Sequence, residues 1–230
     1  MRIDKFLWEL GTRSEIKKLL KTGVITVDGA TVKDGGFQVK DNSVVRYMGN
    51  EIKYREFIYL IMNKPRDVVS ATWDKKLAVV TDLLTEEHKK FEPFPVGRLD
   101  IDTEGLLILT NDGKLAHEIT SPKKKVYKKY LAITNPPMEA EDAKAFEDGM
   151  NLGDFTTLPG KLEFSDNPEQ VFITICEGKF HQVKRMCEKC GKTVTYLKRV
   201  AIGGLELNDD MAPGDIRETD KTNLTRLIFG

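Results

Sequence analysis

The sequence lacks long apolar runs and an even set of cysteines. No apolar stretch approaches the roughly 18–20 residues that a membrane-spanning helix needs. Residues 1–5 lack the apolar core of a secretory signal peptide, and the three cysteines form no even disulfide framework. We therefore expect a cytoplasmic protein without a membrane partner.

A metal site is also poorly supported by the sequence. Cys187 and Cys190 have the spacing of many metal and redox sites, and His181 lies close by in sequence. Zinc needs about four ligands, but there is no second cysteine pair. We interpret the two thiols as positions near the end of one helix and predict neither a metal nor another cofactor.

The sequence also has no net charge, because 36 Lys and Arg residues balance 36 Asp and Glu residues. This excludes a uniformly basic nucleic-acid coat, although patches of opposite sign can sum to zero. Residues 1–58 carry +3, residues 121–130 carry +5 and residues 176–199 carry +5. Residues 139–148 carry −4 and residues 204–220 carry −5. We therefore expect one basic face with the functional cleft and one acidic face away from it.

What is present is an ordinary globular composition, 40% hydrophobic and 31% charged over 230 residues, which allows one or two domains. In the first part, apolar residues from Ile3 to Leu10 recur at helical spacing, and Ser14 is placed to cap a second helix. A hairpin is predicted over 24–32 and a third strand over 43–48. This unit is assigned to residues 1–50.

The rest of the chain, residues 59–230, alternates strands and helices after a polar linker at 51–58. The fold class is predicted to be α+β, a small N-terminal domain followed by a mostly antiparallel mixed sheet flanked by helices and loops. The predicted strands are 59–62, 106–109, 126–134, 162–164, 171–176, 194–197 and 205–207, and the predicted helices are 80–87, 116–119, 139–149, 180–190 and 224–229.

Two acids stand just before the apolar run 106–109, and they allow two interpretations. Asp100 and Asp102, with Thr103, could simply satisfy backbone groups of a loop. Alternatively, Asp100 beside Arg98 could be a carboxylate that acts as a nucleophile or a base. The basic residues around the second helix are similarly ambiguous, since they suit phosphate binding or a solvated helix face.

Whole motifs narrow these alternatives. The order of helices, glycines and hairpin in residues 1–50 resembles the S4 RNA-binding module. Gly97–Gly113 resembles the characteristic motif of pseudouridine synthases, and 59–65, 128–130 and 177–186 resemble three further motifs of that family. Together they resemble the S4-domain pseudouridine synthases of the RsuA/RluB/E/F family, and most of all its RsuA branch, which modifies small-subunit ribosomal RNA.

The resemblance implies a role for each matched residue. Asp100 would be the nucleophile, and Arg98 would help to displace the target base. Tyr130 would pack on the bound uracil, and Ile202 would line the pocket. Lys184 would pair with the aspartate and favour its ionised form, in a position where much of the superfamily has arginine, a planar bidentate partner.

Other residues are candidate RNA contacts, either on the N-terminal helices, in the lysine run before Tyr130, or beside Lys184. The set comprises Arg2, Lys5, Arg13, Ser14, Lys17, Lys18, Lys21, Lys123, Lys124, Lys125, His181 and Arg185.

The resemblance implies that a monomer converts a uridine to pseudouridine in 16S small-subunit rRNA, free or in a pre-ribosomal particle. The sequence Phe180-His181-Gln182 favours this branch, since relatives acting on the large subunit often have Asn-Arg-Gln there. Two alternatives remain open. One is a pseudouridine synthase for 23S rRNA or tRNA, and the other is a non-catalytic ribosome-assembly protein that binds RNA.

Overall fold

The computed structural model describes all 230 residues, which divide into two compact units, Met1–Glu56 and Phe57–Gly230. The first unit has two short helices and a four-stranded antiparallel sheet with the strand order β2-β1-β3-β4. Its apolar helix faces pack on the sheet around Ile3, Leu20 and Val45. The elements are α1 (Ile3–Phe6), α2 (Arg13–Lys21), β1 (Ile25–Val27), β2 (Ala30–Thr31), β3 (Val45–Tyr47) and β4 (Asn50–Ile52).

The start of α2 differs from the sequence prediction. Thr12, not Ser14, caps the helix, and Ser14 already lies in its first turn. Thr12 and Glu15 form a capping box, in which the Thr12 backbone N–H donates to Glu15 Oε2 at 2.7 Å and the Glu15 N–H donates to Thr12 Oγ1 at 3.4 Å. Thr12 has the extended backbone that a cap requires (φ −63°, ψ 160°). Another difference is that Trp8–Leu10 form a separate 3₁₀ turn after α1.

Part of the predicted linker is a strand. Residues 51 and 52 belong to β4, which pairs antiparallel with β3 and places Glu51 opposite Arg46. The polar composition that indicated a linker is that of a solvent-facing edge strand, where charged side chains protect an unpaired backbone.

The second unit is built on a mixed nine-stranded sheet. The main strand order is β13-β5-β7-β11-β8-β10-β9, with β6 paired to β7 and β12 paired to β11. Every pairing is antiparallel except β7 with β11, so the predicted fold class is confirmed. The strands are β5 (Tyr59–Lys64), β6 (Phe94–Pro95), β7 (Glu104–Thr110), β8 (Lys128–Asn135), β9 (Lys161–Phe164), β10 (Gln170–Ile175), β11 (Thr193–Ile202), β12 (Leu205–Glu206) and β13 (Ile216–Thr219).

Five helices flank this sheet, and several begin later or earlier than predicted. The segment Asn111-Asp112-Gly113 is a helix start, because Asp112 Oδ1 accepts hydrogen bonds from the N–H groups of Lys114 and Leu115, both at 3.1 Å. The predicted 80–87 helix is a 3₁₀ turn followed by α3. The helices are α3 (Glu86–Lys89), α4 (Gly113–Thr120), α5 (Ala140–Asp148), α6 (Gln182–Lys189) and α7 (Lys221–Phe229).

The predicted separation of charge into two faces is wrong at one end of the second unit. Lys192, from the basic segment 176–199, lies 2.8 Å from Glu139 and 4.0 Å from Asp142 of the acidic segment 139–148. Opposite charges that are distant in sequence meet here because α5 and the turn after α6 are neighbours. No helix in the structure has both the length and the apolar character needed to cross a membrane.

Candidate active site

Asp100 lies on a loop that enters β7, a buried interior strand of the sheet. Leu99 is buried and fixed by Ser70, whose hydroxyl donates to the Leu99 carbonyl at 2.9 Å and accepts from the Leu99 N–H at 3.1 Å. The Thr103 N–H donates to the Asp100 carbonyl at 3.0 Å. The loop is therefore held on both sides of Asp100 by hydrogen bonds. Sequence reasoning did not single out Ser70.

Lys64, at the end of β5, supports the same loop from inside the protein. It is fully buried, and its ammonium group donates to the carbonyls of Pro65 and Thr103 at 2.9 Å each and of Ile101 at 3.4 Å. Burial lowers the pKa of Lys64 to about 8, although Asp102 and other nearby carboxylates oppose this. Because it gathers carbonyl groups on both sides of Asp102, Lys64 fixes the path of the loop.

One ammonium group joins two carboxylates at the centre of the site. Lys184 Nζ, from α6, lies 3.1 Å from Asp100 Oδ2 and 2.6 Å from Asp102 Oδ1. Burial alone would lower the pKa of Lys184, but hydrogen bonds to both aspartates raise it above its usual range. Burial would raise the pKa of Asp102, but the hydrogen bond and charge of Lys184 lower it. Asp102, expected only to shape the loop, therefore shares the cation with Asp100.

His181 approaches Asp100 from the other side. Its Nε2 lies 3.6 Å from Asp100 Oδ1, and its left-handed backbone (φ 49°) delays the start of α6 to Gln182. The buried Gln182 side chain donates to Glu177 at 2.8 Å and accepts from the Lys179 N–H at 3.0 Å. These contacts fix the segment that presents His181.

A cavity brings together four of the five residues predicted to act on or bind the uridine, and His181 joins them. Arg98, Asp100, Tyr130, His181 and Lys184 all line it. Tyr130 is buried on β8 and Arg98 is exposed. The rest of the wall includes the apolar side chains of Leu99, Ile175, Val183 and Leu197.

Ile202 does not line this cavity. It lies at the far end of β11, where it pairs with Lys128 and packs in a buried cluster with Leu224 and Ile228. The structure therefore places Ile202 apart from this cavity, three residues beyond Arg199, which pairs with Tyr130. Leu197, five residues earlier on the same strand, is the apolar wall instead.

Two further cations are buried in the sheet that carries Tyr130. Arg199 pairs across the strands with Tyr130 and donates from Nε to the Leu106 carbonyl at 2.8 Å. Lys128 donates weakly to the carbonyls of Ile119 and Cys176, at 3.4 Å and 3.3 Å. Burial and then the charge of Arg199 lower the pKa of Lys128 to about 8.

The predicted RNA contacts fall in different surroundings. Arg185 does not line the cavity but forms an ion pair with Asp154 and donates to the Leu152 carbonyl at 2.8 Å. In the first unit, Arg2 and Arg13 both pair with the buried Asp4, at 2.7 Å and 3.4 Å. The remaining members are exposed: Lys5, Ser14, Lys17, Lys18, Lys21, Lys123, Lys124 and Lys125.

Comparison with known proteins decides the family. Residues 58–189 match the sequence profile described as RNA pseudouridylate synthase, and residues 1–45 match the S4 domain. The chain belongs to the RNA pseudouridylate synthase family. A pseudouridine synthase is an RNA-modifying isomerase, so the predicted enzyme class and the resemblance to S4-domain members are confirmed.

Similar pseudouridine synthases cover nearly the whole chain. An uncharacterised RNA pseudouridine synthase of Bacillus subtilis is 45% identical, over 97% of each chain. Ribosomal small subunit pseudouridine synthase A is 42% identical in Vibrio cholerae, over 94% of this chain and 95% of the relative, and 36% identical in Escherichia coli, over 99% and 100%. A crystal structure of a pseudouridylate synthase has a TM-score of 0.70 and 31% identity, over 99% of this chain and 100% of the other.

Proposed function

We propose that the protein converts one uridine of 16S small-subunit rRNA to pseudouridine, with Asp100 as the nucleophile. The observation that carries this proposal is the ion pair of Asp100 and Lys184 beside Tyr130 in one cavity. The relatives named ribosomal small subunit pseudouridine synthase A support the choice of RNA. The substrate is rRNA, free or in a pre-ribosomal small-subunit particle, and the enzyme acts as a monomer.

The reaction exchanges one glycosidic bond for another. The N1–C1′ bond breaks, the uracil turns, and a C5–C1′ bond forms. N1 gains a proton and C5 loses one, so the product is an isomer and no redox or hydrolytic partner is needed. The uridine must first leave its stack, since neither the ring nor C1′ is accessible inside folded RNA.

Each cavity residue has a place in this scheme. Lys184 lies 3.1 Å from the Asp100 carboxylate, and an ionised carboxylate is the form that can attack. Tyr130 offers a ring face on which the flipped uracil packs, and the exposed Arg98 lies where a side chain could displace the base. Asp102 keeps Lys184 in position at 2.6 Å.

The variant Asp100→Asn tests the nucleophile. We expect pseudouridine formation to fall below detection while RNA affinity changes less than about threefold, because the amide preserves shape but cannot attack. The assay is tritium release from a small-subunit rRNA transcript labelled at uridine C5, together with filter binding. Asp166→Asn, at an exposed position of the same unit, is the matched control. Normal turnover by Asp100→Asn would exclude this nucleophile.

The choice of RNA is tested by mapping pseudouridine in rRNA and tRNA from cells that lack the protein. We expect one lost site, in small-subunit rRNA, restored by the wild-type gene and not by Asp100→Asn. A lost site in large-subunit rRNA or tRNA would replace the proposed substrate. No lost site would favour an RNA-binding role without catalysis.

A further inference from the structure

An exposed aromatic pair lies at the edge of the cavity. The Phe180 ring stacks on the His181 ring, with centroids 3.8 Å apart and planes 16° from parallel. Phe180 is nevertheless 67% exposed, so most of its surface faces solvent. Aromatic side chains that bury little of their area contribute little to stability and are available to a ligand.

The pair belongs to the site through His181. That residue lines the cavity, and its Nε2 is 3.6 Å from Asp100 Oδ1. His181 contacts Asp100, and Phe180 contacts His181, so the Phe180 ring is linked to Asp100 through His181. A group that rests on Phe180 would therefore be a neighbour of whatever occupies the cavity.

The backbone that presents the pair is fixed. The left-handed conformation of His181 is uncommon outside glycine. It is stabilised by the buried Gln182, which holds Glu177 and the Lys179 N–H. An aromatic ring presented on a fixed backbone loses little conformational entropy when a partner stacks on it.

We propose that Phe180, backed by His181, is a stacking subsite for an unpaired nucleobase that neighbours the flipped uridine. This subsite rests on the proposed function, because it needs RNA whose target base occupies the cavity. Every base has a ring face suited to an aromatic platform, and sequence-specific RNA recognition targets unstacked bases of loops and bulges. The exposed Arg98 also lines the cavity and would attract an attached phosphate.

The test compares Phe180→Ala with Phe180→Trp and with the control Phe164→Ala. Phe164 is also an exposed phenylalanine of the second unit, 49% exposed at the end of β9. Filter binding and pseudouridine formation are measured on a small-subunit rRNA transcript, with the KM and kcat of each variant. Melting temperature is recorded for all of them.

We expect Phe180→Ala to raise the Kd and KM by about 5- to 150-fold, the range of one lost base stack. Phe180→Trp should restore both to within about threefold of wild type, since a larger ring face still stacks. Because stacking is not an ionic contact, the slope of log Kd against log salt should stay unchanged. Phe164→Ala should match wild type, and all melting temperatures should agree.

Several results would overturn the subsite. One is an unchanged Kd for Phe180→Ala. Another is a loss of RNA affinity in Phe180→Ala that is also present in Phe180→Trp. A third is a loss of RNA affinity that is accompanied by a lower melting temperature. A defect seen on assembled particles and not on the free transcript would assign Phe180 to a ribosomal protein. If the wild type forms no pseudouridine in any RNA, the proposed function fails and the subsite fails with it; the Kd comparison then shows only whether Phe180 contacts RNA.

Discussion

At the scale of single residues, the site depends on how one lysine charge is divided between two aspartates. Lys184 is only 18% exposed and makes its shorter contact to Asp102, not to Asp100. A lysine provides a compact charge without the fork geometry of arginine. Asp102 therefore compensates for the missing geometry, because it holds the ammonium group from one side while Asp100 remains accessible in the cavity.

Replacement of Lys184 by Met should have a pH signature. Lys184 lowers the pKa of Asp102, so this interaction stabilises the folded protein above the ordinary carboxylate range and is lost as pH falls through the folded pKa. We expect Lys184→Met to lose about 1 kcal/mol in the free energy of unfolding at pH 7, and much less near pH 3. Urea unfolding at the two pH values measures this.

The matched control is Lys189→Met, an exposed lysine on the same helix. It should change neither stability nor activity appreciably. Lys184→Met should also lose most pseudouridine formation, because two carboxylates would then face each other without a cation. An equal stability loss at both pH values would show that packing of the lysine stem, not its charge, stabilises the site.

At the scale of elements, matched motifs located residues of the cavity but not the residues that support them. Asp100, Tyr130 and Lys184 came from motifs far apart in sequence, and the fold brings them to one cavity. Lys64 and Ser70 were not predicted, because they act through hydrogen bonds to loop carbonyl and N–H groups. Such bonds leave no periodic pattern in the sequence.

The ends of strands were also predicted incompletely from the sequence. Strand β11 was predicted to end at Leu197, but it continues to Ile202 with two register shifts against β8. Bulges interrupt the alternation of apolar and polar residues on which the prediction relied. Strand β13 was missed because its only partner is β5, a contact more than 150 residues away in sequence.

The parallel pairing of β7 with β11 lies next to the loop that carries Asp100 and leads to a further prediction. Gly105, in β7, has a φ of +103°, and an added Cβ would lie 2.2 Å from the Arg199 carbonyl oxygen. Gly105→Ala should therefore destabilise the protein by more than about 3 kcal/mol, since both the backbone and the neighbouring strand must shift. Thermal and urea unfolding provide the measurement.

Gly113→Ala is the matched control, because its added Cβ meets no atom within 4 Å and its φ is not positive. That change lies at the start of α4 and should be neutral or stabilising by up to about 1 kcal/mol. If both variants had the same stability, the close approach of β7 and β11 would have no energetic consequence.

At the scale of the whole molecule, the net charge of zero is the sum of basic and acidic segments. The pairing of Lys192 with Glu139 neutralises part of one basic segment, and Arg2 and Arg13 share the single negative charge of Asp4. The exposed lysines of α2 make no such ion pair in the structure: Lys17, Lys18 and Lys21. The electrostatic attraction for RNA in the first unit is therefore expected more from these lysines than from Arg2 and Arg13.

The full-length triple variant Lys17→Ala, Lys18→Ala, Lys21→Ala tests this expectation. Each lost phosphate contact should reduce the slope of log Kd against log salt by about 0.7, or about 2 in total for a single-stranded region. The kcat at saturating RNA should be unchanged, because the proposed catalytic residues belong to the other unit. Filter binding to a small-subunit rRNA transcript over a salt series measures the slope.

The control removes three exposed lysines of the same unit that lie outside α2, which are Lys33, Lys40 and Lys53. It changes the net charge by the same amount, so if RNA responds only to the total charge of the unit, RNA binding would weaken equally in both variants. A smaller slope in the α2 variant alone would place the RNA backbone on this helix. An equal loss in both would mean that RNA responds to the charge of the unit and that the helix has no special part in binding.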